Sequence, residues 1–430
     1  MRLFAREAFL PGGWAPDVAF ELAPDGTILS VEPGAEPRGA ERIDGAVLPG
    51  TPNLHSHAFQ RAMAGSAERR AAGGDDDFWS WREAMYALAA RLEPDGLRTL
   101  ATDVYRAMLA AGYTAVAEFH YLHRDPRGAW YADRAAMARA LIEAAREAGI
   151  AICLLPALYA HGDVGGAPLR AEQRRFATGV EDVLDIARTL RRAYADDPDV
   201  VVGACAHSLR AVTPEELRAL LDGAPRDVPI HLHAAEQMRE VEAVRAALGA
   251  PPVAWLLETQ AVDARWCIVH ATHLERRERD ALARSGAVAG LCPTTEANLG
   301  DGVFPLGPYL AAGGALGIGS DSNVSLAPTE ELRWLEYGQR LAHQRRLVAA
   351  LEPGASVGET LYARAAAGGA QACGLAAGAL APGRRADLIV LDDAAPPLAG
   401  APPSELLDRY VFATDRPAPR RVMVRGRWRS

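Results

Sequence analysis

Apolar and polar positions alternate at both ends of the chain, whereas the middle carries longer apolar runs separated by helical spacing. Near the start, Asp17-Val18-Ala19-Phe20-Glu21-Leu22 and Thr27-Ile28-Leu29-Ser30-Val31 flank Pro24-Asp25-Gly26, which predicts two strands and a turn. Near the end, residues 386–392 and 421–426 are again strand-like, split by a Pro-rich loop around 394–403. Chain ends tend to lie close together, so the two segments are expected to pair. The expected division is a small β domain from residues 1–48 and 378–430, with a larger domain, 49–377, inserted between them.

Within the insertion, apolar strand-like runs fall at 114–119, 150–158, 200–207, 228–233, 266–270, 287–291 and 315–321. Amphipathic stretches rich in Ala, Leu and Arg lie between them, for example at 131–148, 180–195, 214–221 and 328–349. A further strand leads into His55, making eight β-then-α units in all. That count predicts an α/β fold, a (β/α)8 TIM-type barrel with a small β-sandwich domain formed from both termini. An open doubly wound sheet is the alternative, but it would be long for so many repeats.

Composition narrows the partners. The 430 residues are 49% hydrophobic and 23% charged, enough apolar material for a large core and too little charge for disorder. A net charge of −9 argues against nucleic acid or an anionic membrane as partner. No apolar stretch is long enough to span a bilayer, and the first residues lack a signal-peptide core. Five cysteines are scattered singly with no C-x-x-C pair, as expected of buried thiols in a reduced, cytoplasmic protein. All 46 basic residues are arginine. A Schiff-base lysine, a P-loop lysine and a carbamylated lysine bridging two metals are therefore excluded.

The candidate chemistry sits at strand ends. The run from Val47 finishes in His55-Ser56-His57, and alternation along a strand points both rings to one side. A second pair, His231-Leu232-His233, is followed three residues on by Glu236. Val269-His270 and Gly319-Ser320-Asp321-Ser322-Asn323 end two later runs. A catalytic metal site needs three or four N or O ligands with room left for water. His55, His57, His233 and Asp321 are the expected ligands, with His231 lying deeper behind them. Glu236, His270 and Asp321 are the expected catalytic groups, since metal-assisted hydrolysis needs one group to orient water and another to protonate a leaving nitrogen. His123, His161, His273 and His343 are expected in loops or on the surface.

These residues resemble the amidohydrolase superfamily in its mononuclear deaminase branch, over essentially the whole chain. Within it, His55-Ser56-His57-Ala58-Phe59-Gln60-Arg61-Ala62-Met63-Ala64-Gly65 looks like the formimidoylglutamate deiminases, and three further runs do too: Glu118-Phe119-His120-Tyr121-Leu122-His123, Ala206-His207-Ser208-Leu209-Arg210 and His231-Leu232-His233-Ala234-Ala235-Glu236-Gln237. The resemblance implies one divalent metal, expected to be zinc, on His55, His57, His233 and Asp321, with Glu236 and His270 catalytic. It also implies that Gln60, Arg82, Tyr121, His207 and Arg210 contact the substrate, and that the chain is a homodimer. The implied reaction is hydrolysis of N-formimino-L-glutamate, in histidine degradation, to N-formyl-L-glutamate and ammonia. A dicarboxylate of this kind calls for two arginines able to make paired hydrogen bonds, which suits Arg82 and Arg210. One rival reading is a deaminase or chlorohydrolase of the same branch acting on a guanine, pterin or triazine ring. A non-catalytic metal-binding barrel is a more distant one.

Overall fold

The computed structural model describes residues 1–68, 78–415 and 419–429. Eight parallel strands form its centre: β1 (Thr51–Ser56), β2 (Tyr113–His120), β3 (Ala151–Leu158), β4 (Ala204–Ser208), β5 (Ile230–Ala234), β6 (Trp266–His270), β7 (Val288–Leu291) and β8 (Ala315–Ile318). Each pairs with the next in chain order, and a parallel bridge between Ser56 and Asp321 brings β8 back to β1. The result is the expected α/β barrel rather than an open doubly wound sheet. Its strands are nearly all buried on both faces, which explains why they read as continuous apolar runs rather than as alternation.

Strands at the termini form a separate sheet. Arg2–Leu10, Gly13–Leu22, Ile28–Glu32, Glu41–Ile43 and Val47–Pro49 join Leu388–Val390, Arg421–Val424 and Arg427–Arg429. Val47–Pro49 pairs with Arg2–Leu10 and with Leu388–Val390, so the chain passes from one sheet to the other across Gly50 alone. Leu3, Phe20, Val47, Leu388 and Met423 are among the side chains of a small core of its own. Between Leu388–Val390 and Arg421–Val424 lies a helix, Pro403–Phe412, as well as the Pro-rich loop.

Two runs differ from the expectation, and the second difference shapes the site. The run at 200–207 breaks at Gly203 into Val200–Val202 and β4. A Cβ at Gly203 would lie 2.5 Å from Leu155 Cδ2 and 2.8 Å from the Pro229 carbonyl oxygen, a space only glycine fits. The last run stops at Ile318, not at Asp321. At Gly319 a Cβ would sit 2.7 Å from the His55 Cβ, so the chain passes directly against the first strand and then turns away.

Candidate metal and substrate site

At the C-terminal mouth of the barrel, three imidazoles from β1, β5 and the loop after β1 converge. His55 Nε2 lies 3.2 Å from His57 Nε2 and 3.0 Å from His233 Nε2. Asp321 Oδ1 stands 3.5 Å from His55 Nε2 and 3.4 Å from His57 Nε2. Backbone bonds of the barrel closure fix this meeting: Asp321 donates to the His55 carbonyl and His57 donates to the Asp321 carbonyl, each at 2.9 Å. Asn323 Nδ2 adds bonds to the His57 and Asp321 carbonyls, both at 3.0 Å. Asp321 and His270 hold positive φ of 45° and 68°, unusual for non-glycine residues and a form of strain commonly met at functional sites.

The tautomers show what the cluster can hold. His57 Nδ1 faces the Phe119 carbonyl at 2.8 Å and His233 Nδ1 faces the His207 carbonyl at 2.7 Å. Carbonyls only accept, so both Nδ1 atoms donate, and in a neutral ring the Nε2 lone pair then points inward. Burial keeps these rings neutral, pushing His55 down to about 3 and lowering His57 and His233. Burial opposes ionisation of Asp321 too, but His55, His57 and His270 together outweigh it and hold the carboxyl well below its usual range. Two inward lone pairs and a carboxylate therefore face His55 Nε2, which could offer a proton to only one of them. A cation satisfies all four. Bonds of about 2 Å in a tetrahedron give ligand separations of about 3.3 Å, close to those found here. The donor set fits a divalent metal ion.

Beside this cluster, Glu236 Oε1 lies 3.6 Å from His270 Nε2, and His270 Nε2 lies 3.9 Å from Asp321 Oδ2. Burial disfavours charge on His270, yet Glu236, Glu296 and Asp321 prevail and raise it to about 10. Gln60 donates to the Tyr121 hydroxyl at 2.8 Å, and the His207 ring packs edge-on at 4.7 Å from Tyr159. His57, Gln60, Arg82, Tyr121, His207, Arg210, His233, Glu236, His270 and Asp321 all line one pocket. His55 is fully buried beneath it, so every candidate from the sequence meets here.

The roof comes from the helix Phe78–Ala89, which turns Phe78, Trp81, Arg82, Met85 and Tyr86 toward the pocket at helical spacing. Arg82 stacks on Trp79, its Cζ 4.4 Å from the ring centroid. Arg82 Nε and Arg210 Nε are both buried and bond no described group. His231 lies deeper, bonded through Nε2 to the Ala372 carbonyl at 2.8 Å, in keeping with a place behind His233.

His123 lies in the loop after β2, as expected, but is buried there, its Nε2 on the Ala157 carbonyl at 3.2 Å. One group was missed in the sequence. Glu296 went unnoticed, although Cys292-Pro293-Thr294-Thr295-Glu296 follows β7 just as other candidates follow their strands. Its Oε1 lies 3.3 Å from His270 Nδ1 and accepts from the Cys292 amide at 2.9 Å.

Comparison with known proteins matches this architecture. The model of the amidohydrolase family matches residues 46–429, and that of the "Formimidoylglutamate deiminase HutF, N-terminal domain" matches residues 1–45. The chain belongs to the amidohydrolase family. It is 53% identical over 426 residues to the formimidoylglutamate deiminase of Pseudomonas aeruginosa, covering 99% of this chain and 94% of that protein. A 5-methylthioadenosine/S-adenosylhomocysteine deaminase of Pelotomaculum thermopropionicum is 27% identical, covering 93% of this chain and 86% of its own. The crystal structure of an amidohydrolase from Brucella melitensis superimposes with a TM-score of 0.94 at 44% identity, covering 99% of this chain and 94% of that one. A triazine hydrolase variant, at 22% identity and a TM-score of 0.83 over 99% and 94%, shares the fold. Among the described residues, no helix is long and apolar enough to cross a membrane.

Proposed function

We propose that this amidohydrolase hydrolyses N-formimino-L-glutamate to N-formyl-L-glutamate and ammonia; the name of its Pseudomonas relative, formimidoylglutamate deiminase, supports the reading. The observation that carries the substrate class is the pair of arginines, Arg82 and Arg210, each lining the pocket with a buried Nε that bonds no described group. A guanidinium edge of this kind matches a carboxylate, and a dicarboxylate uses two. A flat ring substrate would gain from the aromatic walls but would leave both buried Nε–H groups without an acceptor.

In this reading His55, His57, His233 and Asp321 hold one zinc ion. Bound there, the metal supplies a Lewis acid that makes water nucleophilic near neutral pH. His270 orients the attacking water, Asp321 takes its proton, and Glu236 delivers a proton to the departing nitrogen. Arg82 and Arg210 hold the carboxylates, while Gln60, Tyr121 and His207 fix the formimino end. A cytoplasmic homodimer belongs to the same reading; the five free, buried cysteines support a reducing compartment.

Ammonia release from N-formimino-L-glutamate, with chelator-stripped enzyme as control, tests the proposal. Turnover that disappears on stripping and returns with zinc is expected. No release at saturating substrate and metal would reject it.

A further inference from the structure

Arg210, Glu236, His270 and Glu296 form a buried chain of polar contacts along one wall of the pocket. Arg210 Nη2 donates to Glu236 Oε2 at 3.2 Å, Glu236 Oε1 lies 3.6 Å from His270 Nε2, and His270 Nδ1 lies 3.3 Å from Glu296 Oε1. The members stand after or at the ends of the neighbouring strands β4, β5, β6 and β7. None exceeds 7% exposure: Arg210 is 7%, Glu236 6%, His270 1% and Glu296 5% exposed. One end is anchored, because Glu296 also takes the Cys292 amide at 2.9 Å. The other is open at the Nε edge of Arg210.

A guanidinium is a rigid plane with donors on separate edges, so it can hold two carboxylates at once and fix their relative orientation. We infer that Arg210 is a positioning residue as well as a binding one: a substrate carboxylate on its Nε edge pins the guanidinium, which in turn holds Glu236 in line with His270. The inference rests on the reading proposed above, in which Glu236 is the proton carrier. Glu240 fixes the backbone beneath, accepting from the Ala235 and Glu236 amides at 3.2 Å, but leaves the Glu236 side chain to Arg210 and His270. In low dielectric such contacts are strong and mutually reinforcing. Both guanidiniums lie over Trp79, but Arg82 offers a contrast in making no ion pair among the described residues.

The coupling makes one substrate carboxylate an activator and the other an anchor. Steady-state kinetics of the metal-loaded enzyme separate them, using N-formimino-L-glutamate and two analogues that each lack one carboxylate, the formimino derivatives of 4-aminobutanoate and 2-aminobutanoate. With wild-type enzyme, one analogue is expected to lose kcat and the other mainly to raise KM. Added propionate should restore kcat on the first. Arg210→Gln is expected to lower kcat by about 100-fold with metal content retained, a loss within the usual range for acid–base catalysis, and to abolish the propionate effect. Arg82→Gln should act mainly on KM.

Equal kcat on all three substrates, or an Arg210→Gln variant changed in KM alone, would overturn the inference while leaving the proposed function standing. Failure of the wild type to release ammonia from N-formimino-L-glutamate would overturn both. The analogue series uses wild-type enzyme, so it decides even if Arg210→Gln does not fold.

Discussion

On the floor of the pocket, His55, His57, His233 and Asp321 hang from strand ends that the barrel's own backbone locks together; over the roof, the helix Phe78–Ala89 is held by side chains reaching from another loop. The floor bonds are short-range in space and made by main chain, such as Asp321 to the His55 carbonyl at 2.9 Å. The roof depends on the segment after β3. Gln173 Nε2 donates to the Tyr86 hydroxyl at 3.3 Å, Arg170 pairs with Glu83 at 2.7 Å, and buried Arg175 donates to the Ala89 carbonyl and to the Leu92 carbonyl at 2.6 Å. The metal-capable cluster is thus built into the sheet, while the helix that carries Arg82 is tied down by side chains of a separate segment.

The sharpest way to break the comparison is on the floor. Asp321→Ala should release bound metal, measured by elemental analysis, and reduce turnover by about 1,000-fold or more, since both the Lewis acid and a proton acceptor are lost. On the roof, Arg175→Leu strands the Ala89, Leu92 and Arg124 carbonyls it now serves. A loss of about 3 kcal/mol in denaturant unfolding is expected, with raised KM and unchanged metal content. Loss of metal in that variant would show that roof and floor are not separable.

A smaller effect follows at the barrel seam. Gly319→Ala would press a methyl group into the His55 backbone, costing about 1–3 kcal/mol, and should weaken metal binding as well as lower Tm. A pH effect concerns Glu118, which accepts from the Ala58 amide at 2.7 Å beneath the site. Burial pushes its carboxyl up to about 8. The folded state therefore keeps this proton between the unfolded value and about 8, so the residue's contribution to stability falls as pH rises through that window, by at most about 1.4 kcal/mol per pH unit. Glu118→Gln should flatten the slope of stability against pH there; an unchanged slope would assign the titration to another group.

Fold and floor were legible for one reason. Strand alternation has a period of two and needs no partner, so His55-x-His57 announces convergent rings before any tertiary contact is known. Strand ends in the right order then place His233, His270 and Asp321 at one mouth. Asp321 itself was expected on a strand, but it sits beyond one, in left-handed backbone, because Gly319 must first clear His55. Glu296 follows its strand end in the same way, yet its meaning lies in a contact with His270, 26 positions away.

By itself the sequence determined the barrel, the separate terminal sheet, the four metal-capable side chains and the resemblance that names the chemistry, because these depend on local periodicity and on residue types at strand ends. Only the tertiary structure decided which edge of Arg210 stays open, how Arg82 comes to lie over the pocket, and that Arg210, Glu236, His270 and Glu296 form one chain. Those facts rest on distances between side chains far apart in the polypeptide. A pattern along one dimension does not encode such distances until packing has fixed each rotamer.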